Sequence, residues 1–171
     1  MNQLTQIQKD FRTAMAHLPA AVSIITTDGP HGRIGITVSA VCSVTDAPPT
    51  LLVCVNRRSA AHDIFRSNGK VCINVLSGDG EELARHFSGM TGVSMEERFA
   101  WNIWDDEQEV PVLSDAHVKV IGTIEGMAGQ GSHSVLFIKV DRVAVNESSH
   151  GLVYFNRNFV RVDPLGDRVA V

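Results

Sequence analysis

Hydroxyl, amide and guanidinium side chains gather in two short segments of the sequence, where they could bind a phosphate-bearing ligand. Thr37 to Ser43 is rich in small and hydroxyl residues, and Asn56-Arg57-Arg58-Ser59 follows the apolar run Thr50 to Val55 and precedes a helical pattern. A helix N-terminus flanked by cations and hydroxyls suits a phosphate. A strand bordered by small residues lets a flat ligand approach its backbone. Together the two segments predict a site for a planar cofactor that carries a phosphate.

Other kinds of chemistry find little support in the sequence. It contains no Gly-x-Ser-x-Gly segment, so a nucleophilic hydrolase is not predicted. The seven histidines form neither a His-x-His nor a His-Glu-x-x-His pair, so no metal site is predicted. Gly29, Gly32 and Gly35 are wrongly spaced for a dinucleotide fingerprint, and a strand follows where that motif needs a helix.

Composition and charge narrow the class of protein. A chain of 171 residues predicts one domain with a substantial core. The net charge of −4 argues against nucleic acid or an anionic membrane as the main partner. No apolar run approaches the ~20 residues of a membrane span, and the first residues lack the pattern of a signal peptide. Cys42, Cys54 and Cys72 lie in apolar runs, which predicts three reduced core cysteines in a cytoplasmic protein.

The elements that must position the predicted site are mostly strands. An amphipathic helix is expected over residues 4–18, covering part of a sheet, and three short helices over 60–68, 81–87 and 94–99. Six or seven strands are expected within 20–27, 33–44, 50–55, 70–76, 118–124, 135–145 and 151–162, with a turn over 126–134. The strand at 50–55 is expected to be buried on both faces. Because the strands follow one another without βαβ alternation, the pattern predicts a mainly β fold, an antiparallel Greek-key barrel with a few short flanking helices.

Several blocks of this sequence together resemble the short-chain flavin reductases. These blocks are GITVSAVCSVTDAPPTLLVCVNRRSA, NGKVCINVLS, ARHFSGMTG, MEERF, GSH and HGLVYFNRNF, which occur in the family's order and spacing from about Phe11 to Val162. The resemblance implies one flavin reductase-like domain over residues 1–171, with its core at about 11–162. It further implies an FMN-binding split β-barrel that works as a homodimer. Such a protein uses NADH or NADPH to reduce FMN or FAD, and an oxygenase component receives the reduced flavin.

Carried over residue by residue, the resemblance implies a set of site residues. Those expected to bind the cofactor are Thr37, Val38, Ser39, Ala40, Val41, Cys42, Ser43, Val55, Asn56, Arg57, Ser59, Phe87, Ser88 and Gly89, with Tyr154 and Arg157 facing the nicotinamide or a partner subunit. The family's Gly-Asp-His motif falls on Gly131-Ser132-His133, where Ser132 replaces the acid. His133 is the candidate catalytic residue, on the nicotinamide side.

Two alternatives stay open at this point. The chain could serve a different oxygenase, for example one that attacks a pyrimidine ring. It could instead be a non-catalytic electron carrier that holds FMN tightly.

Overall fold

The computed structural model describes residues 3–105, 107–147 and 150–163. The helices are α1 (Gln6–Ala16), α2 (Ala60–Asn68), α3 (Glu81–Phe87) and α4 (Met95–Ala100). The strands are β1 (Ala20–Ala21), β2 (Ser23–Thr27), β3 (Ile34–Val38), β4 (Val41–Asp46), β5 (Pro49–Asn56), β6 (Lys70–Val75), β7 (Trp104–Asp105), β8 (Val112–Leu113), β9 (Val118–Gln130), β10 (His133–Val145), β11 (Gly151–Phe155) and β12 (Asn158–Val162).

One large antiparallel sheet forms the centre of the molecule. Its seven strands lie in the order β3-β2-β6-β9-β10-β5-β4, and a smaller sheet has the order β1-β11-β12. Among the described residues no ladder joins the edge strands β3 and β4, so the large sheet is open at that point. The expectation of a mainly β, antiparallel fold with short flanking helices is confirmed.

Three expected strand assignments are wrong. The run expected as one strand within 33–44 forms two strands, β3 and β4, which lie at opposite edges of the large sheet. Residues 126–130, predicted as part of a turn, continue β9, so that β9 and β10 form one long hairpin around Gly131 and Ser132. The expected last strand is a hairpin, because Asn156 and Arg157 both have positive φ (47° and 63°) and reverse the chain between β11 and β12. Two-residue turns with this backbone match the twist of the flanking strands.

One of the clusters that form the core lies between the large sheet and α2. Leu51, Val53 and Val55 of β5 point into it, together with Phe65 of α2. The alternate residues of β5 are only partly buried, so the prediction that this strand is buried on both faces is wrong. Its alternation places one row of side chains in the core, and the end of the strand, from Cys54 to Asn56, borders a cavity described below.

The N-terminal helix does not pack as the sequence predicts. A helix forms, with a capping box between Thr5 and Gln8, but none of its residues is buried. Ile7 is 73% exposed and Phe11 is 61% exposed, on a face that also carries Met15. The prediction that this face covers the sheet is therefore wrong for the single chain.

A buried polar cluster attaches the segment that contains β8 to the large sheet. The Asn74 side chain donates to the Ile24 carbonyl and the Thr26 hydroxyl, both at 3.2 Å, and accepts from the Leu113 backbone N–H at 2.7 Å. Thr26 donates in turn to the Pro111 carbonyl at 2.6 Å. Because unpaired polar groups are costly in a core, this cluster fixes how the segment lies on the sheet.

The cysteines differ in their surroundings, and all three are free thiols. Cys72 is buried, and burial raises the pKa of its thiol to about 12. Cys54 is partly buried and Cys42 is exposed, so the expectation of three core cysteines is wrong for Cys42. None of the described helices is long and apolar enough to cross a membrane.

Candidate functional site

The ends of β3, β5 and β10 meet beside the N-terminus of α2 and the end of α3. His133 lies opposite Asn56 in the β5–β10 ladder. A cavity of about 380 Å³ lies at this meeting point. Its lining residues are Ile36, Thr37, Val38, Ser39, Ala40, Cys54, Val55, Asn56, Ser59, Phe87, Ser88 and His133. Segments far apart in the chain therefore share one site.

The polar corner of the cavity is a tight turn that starts α2. The Asn56 side-chain oxygen accepts from the Arg58 N–H at 2.9 Å, and the Asn56 carbonyl accepts from the Ser59 N–H at 3.0 Å. Ser59 caps α2 by accepting from the Ala61 N–H at 3.3 Å. The positive end of the helix dipole and two arginines thus adjoin this corner, an arrangement that favours an anion.

Arg57 connects the polar corner to the turn between β9 and β10. Its backbone N–H donates to the Ser132 carbonyl at 2.9 Å, and its guanidinium donates to the Gly131 carbonyl. The guanidinium therefore lies across the short gap between the start of α2 and the residues that precede His133.

His133 is the first residue of β10, not a turn residue as the sequence predicts. Its Nδ1 lies 2.9 Å from the Ser132 hydroxyl oxygen. Ser132 replaces the acid of the motif that the sequence resembles, yet its hydroxyl still supplies a hydrogen-bond partner for this ring nitrogen. A hydroxyl can donate or accept, so Ser132 orients the imidazole without fixing a charge beside it.

Helix α3 supplies the opposite wall. The Thr37 hydroxyl donates to the Ala84 carbonyl at 2.7 Å, which ties β3 to α3. Phe87 is held by Phe99 and Trp104, whose ring centroids lie 5.6 and 5.8 Å from its own. A Cβ atom on Gly35 would lie only 2.8 Å from the Phe87 ring, so glycine permits the close approach of β3 to this aromatic wall.

A second cavity of about 230 Å³ adjoins the first and shares Thr37, Val38, Ser39 and Ser88 with it. Its other lining residues are Val22, Arg85, Met90, Tyr154, Arg157 and Phe159. Tyr154 packs edge-on against Phe159, and the Arg85 guanidinium lies 5.3 Å from the Phe159 ring centroid. The candidate site thus consists of two adjoining cavities that share the end of β3 as a wall.

The structure brings together most of the predicted site residues. The residues predicted to bind a cofactor that line one of these two cavities are Thr37, Val38, Ser39, Ala40, Val55, Asn56, Ser59, Phe87, Ser88, Tyr154 and Arg157. Val41, Cys42, Ser43, Arg57 and Gly89 are not among the lining residues of either cavity. β4 turns away after Ala40, since the residues of this strand after Val41 are exposed.

Sequence reasoning missed several lining residues. Ile36 and Cys54 are each two positions from a predicted residue, Val38 and Asn56, so the two-residue period of a strand could have found them. Arg85 and Phe159 reach the second cavity from α3 and β12. No local pattern in the sequence places those two side chains next to each other.

The donor set fits a flavin. The first cavity offers small and apolar side chains for a flat ring system, with the amide of Asn56 and the hydroxyl of Ser59 at one end. Arg57 and Arg58 lie between these two residues in the turn and bring positive charge close to that end, which favours a phosphate. Another cavity, of about 410 Å³, lies beside α3 near Trp101, Asp79 and Glu82, so volume alone does not identify the site. The first cavity is the candidate site because hydroxyl, amide and imidazole groups converge on it among apolar side chains.

Comparison with known proteins gives matches over nearly the whole chain. A family model described as "Flavin reductase like domain" matches residues 15–163. The 4-hydroxyphenylacetate 3-monooxygenase reductase component of Pseudomonas aeruginosa is 52% identical over 163 residues, which cover 95% of this chain and 96% of that protein. The FMN reductase (NADH) RutF of Stutzerimonas stutzeri is 49% identical, over 90% of this chain and 87% of that protein.

Among solved structures, the NADH:FAD oxidoreductase SgcE6 of Streptomyces globisporus, in complex with NAD and FAD fragments, has the same fold. Its TM-score to this chain is 0.84 at 21% identity, and the match covers 97% of this chain and 100% of that one.

Proposed function

This chain belongs to the flavin reductase-like domain family, and from that membership we propose that it is an NAD(P)H:flavin oxidoreductase. The observation that carries the proposal is the pair of adjoining cavities, one bordered by Asn56 and Ser59 of the turn that also holds two arginines, and one beside Tyr154 and Arg157. FMN or FAD is the acceptor and NADH or NADPH the donor. The names of the relatives, an FMN reductase (NADH) and a monooxygenase reductase component, support this pairing.

The chain's own residues bind and orient the two ligands. When bound, the nicotinamide supplies a hydride that the flavin accepts, so the cofactors carry the redox chemistry. The backbone of Thr37 to Ala40, the part of the predicted segment that borders the cavity, lines the flavin ring. Asn56, Arg57 and Ser59 bind the phosphate, and Phe87 and Ser88 close the wall from α3. Gly89 follows them at the end of α3 with a φ of 79°.

In this proposal His133 acts on the nicotinamide side of the bound flavin. Ser132 bonds to its Nδ1, which leaves Nε2 for a ligand in the cavity that His133 lines. Tyr154 and Arg157 border the second cavity, where they would contact the nicotinamide side of the donor. The chain therefore aligns two flat rings at the end of β3, where the reacting atoms must come within ~3–3.5 Å.

The partner in this proposal is an oxygenase that receives reduced flavin. Ser39 and Ala40 are exposed beside the cavity, an open arrangement that lets flavin leave after reduction. A 4-hydroxyphenylacetate 3-monooxygenase is the favoured oxygenase, since a reductase component of that name is 52% identical. The similarity to RutF supports an oxygenase of another substrate as the alternative.

A homodimer, a single domain over the chain and a cytoplasmic location complete the proposal. The exposed apolar face of α1, with Ile7 and Phe11, offers a surface for a second copy. The three unpaired thiols suit a reducing compartment.

Titration of the purified protein with FMN and with riboflavin tests the binding half of the proposal. Tighter binding of FMN is expected, because riboflavin has no phosphate for the corner at Asn56 to Ser59 to hold. Failure to bind any flavin would contradict the proposal.

A further inference from the structure

The buried imidazole of His62 bridges α2 and β10 directly behind the site. His62 is 7% exposed and Ser134 is 3% exposed. The His62 Nε2 lies 2.9 Å from the Ser134 hydroxyl oxygen, and its Nδ1 lies 3.0 Å from an Asp63 carboxylate oxygen. With Nδ1 donating to Asp63, Nε2 accepts the Ser134 hydroxyl proton, so both ring nitrogens are satisfied.

This Asp-His-Ser chain has the order of groups found in serine hydrolases, but it does not support hydrolysis. The Ser134 side chain is enclosed by the protein, and a nucleophilic hydroxyl must be open to a substrate carbonyl. His62 therefore has a different role.

The hydrogen bond between His62 and Ser134 connects the start of α2, which forms the polar corner, to β10, which carries His133. His62 lies in the first turn of α2, where its N–H donates to the carbonyl of the capping residue Ser59 at 3.0 Å. Ser134 directly follows His133 and lies opposite Val55 in the β5–β10 ladder. A shift of α2 relative to β10 would therefore move the phosphate corner away from His133, and it would also break the bond between His62 and Ser134.

We propose that His62, through its hydrogen bond to Ser134, is a positioning residue that holds the phosphate corner at the start of α2 against the strand that carries His133. The inference rests on the proposed function and adds a residue to it. The bond is shielded from water, so breaking it leaves a buried polar group without a partner and favours displacement of the helix start. Binding of the flavin phosphate is then weakened, whereas contacts to the flavin ring remain.

The test compares FMN with riboflavin in His62→Ala, His62→Gln, Ser134→Ala and the double variant. We expect the dissociation constant for FMN to rise about tenfold in His62→Ala, as loss of one buried hydrogen bond would give. The constant for riboflavin should change less than about twofold. His62→Gln, which keeps a group able to bond to Ser134, should recover part of the FMN affinity. The double variant should bind FMN no more weakly than the weaker single variant.

Steady-state kinetics distinguishes a positioning role from a loss of folded enzyme. The KM for FMN should rise in Ser134→Ala while kcat at saturating FMN stays close to that of the wild type. Loss of folded enzyme would instead lower kcat and leave KM unchanged.

Thr27→Val is the matched control. It removes another buried hydroxyl bond between two elements, at 2.6 Å to the Lys70 carbonyl. It does so at the opposite end of the β2–β3 pair from Val38. This control should leave the ratio of FMN to riboflavin affinity unchanged.

The outcomes separate the inference from the proposed function. Equal losses of FMN and riboflavin affinity in His62→Ala and Ser134→Ala, or no loss of either, would overturn the role of His62 while the wild type still discriminates the two flavins. A wild-type protein that binds neither flavin would overturn the proposed function itself. If His62→Ala does not fold, the ratio of FMN to riboflavin affinity in His62→Gln and Ser134→Ala tests the role of His62 instead.

Discussion

Replacement of Gly35 by alanine is expected to disturb the candidate flavin site by displacing the Phe87 ring, which lines it. Gly35 lies in β3 with a backbone conformation open to any residue, so the substitution adds only one methyl group. That methyl would lie 2.8 and 3.0 Å from two carbon atoms of the Phe87 ring and 3.2 Å from the Thr26 methyl. Carbon atoms in contact normally lie about 3.5–4.0 Å apart, so the ring must move by roughly 0.5–1 Å.

The Phe87 ring has little room to move. It is 3% exposed and packed between Phe99 and Trp104, with the Arg98 guanidinium 5.5 Å from its centroid. Overpacking of this kind costs about 1–3 kcal/mol. For a chain of this length the melting temperature should fall by roughly 2–4 °C for each kcal/mol, or about 2–12 °C in all. The ring also lines the cavity, so the affinity for FMN should fall as well.

Thermal unfolding with and without FMN, together with an FMN titration, measures both effects. Gly126→Ala in β9 is the matched control, because its added methyl would lie at an ordinary 3.7 Å from the nearest Phe137 carbon. The reasoning is refuted if Gly35→Ala melts and binds FMN like the control.

Four further substitutions test other parts of the account. Arg57→Ala should raise the dissociation constant for FMN about tenfold, because a charged contact to the phosphate is lost, and should change the hydride-transfer rate far less, as a stopped-flow titration can show. Asn74→Ala should lower the free energy of unfolding in urea by about 2–4 kcal/mol, because the buried Leu113 N–H and Ile24 carbonyl lose a partner. Phe11→Asp should convert a dimer to a monomer in light scattering, because it places a charge on the exposed face of α1. Asp141→Asn should make the free energy of unfolding fall less steeply as the pH is lowered. Partial desolvation raises the pKa of the Asp141 carboxyl, but hydrogen bonds from Lys70 and Thr123 outweigh it and hold this pKa below 3.8. The stabilisation from Asp141 is therefore present above pH 3.8 and lost as pH falls through the folded-state pKa, which urea unfolding at several pH values can follow.

Each of these predictions has a contrary outcome. An unchanged FMN affinity in Arg57→Ala would contradict the phosphate assignment. A wild-type urea midpoint in Asn74→Ala would contradict the role given to the buried cluster. A Phe11→Asp protein with the mass of the wild-type assembly would place the dimer contact elsewhere. Parallel stability curves for the wild type and Asp141→Asn would contradict the ion pair with Lys70.

Local sequence patterns predict which helices and strands form better than they predict what each element packs against. Helix α2 runs from Ala60 to Asn68 as its cap Ser59 and its end at Gly69 predict, because these signals act within one turn. The exposed face of α1 could not be predicted, since an apolar stripe indicates burial against something without saying whether the same chain provides it. The hairpin at Asn156 and Arg157 was missed because neither residue is a glycine, the usual signal for positive φ.

In the candidate site, too, the local features can be predicted from the sequence and the long-range contacts cannot. The corner from Asn56 to Ser59 follows from residue types that a helix start and a phosphate both favour. Its position opposite His133 depends on the register between β5 and β10, which joins residues far apart in the chain. The bond from His62 to Ser134 depends on that register too, so no motif in the sequence indicates it.

Steady-state oxidation of NADH by the purified protein, with and without added FMN or FAD, tests the central claim most directly. The account predicts turnover that depends on added flavin and saturates with it, and a lower KM for the flavin that the site prefers. A protein that retains flavin but oxidises neither NADH nor NADPH, whatever flavin is added, would contradict the account. Such a protein would be an electron carrier, and the role given to His133 would be wrong.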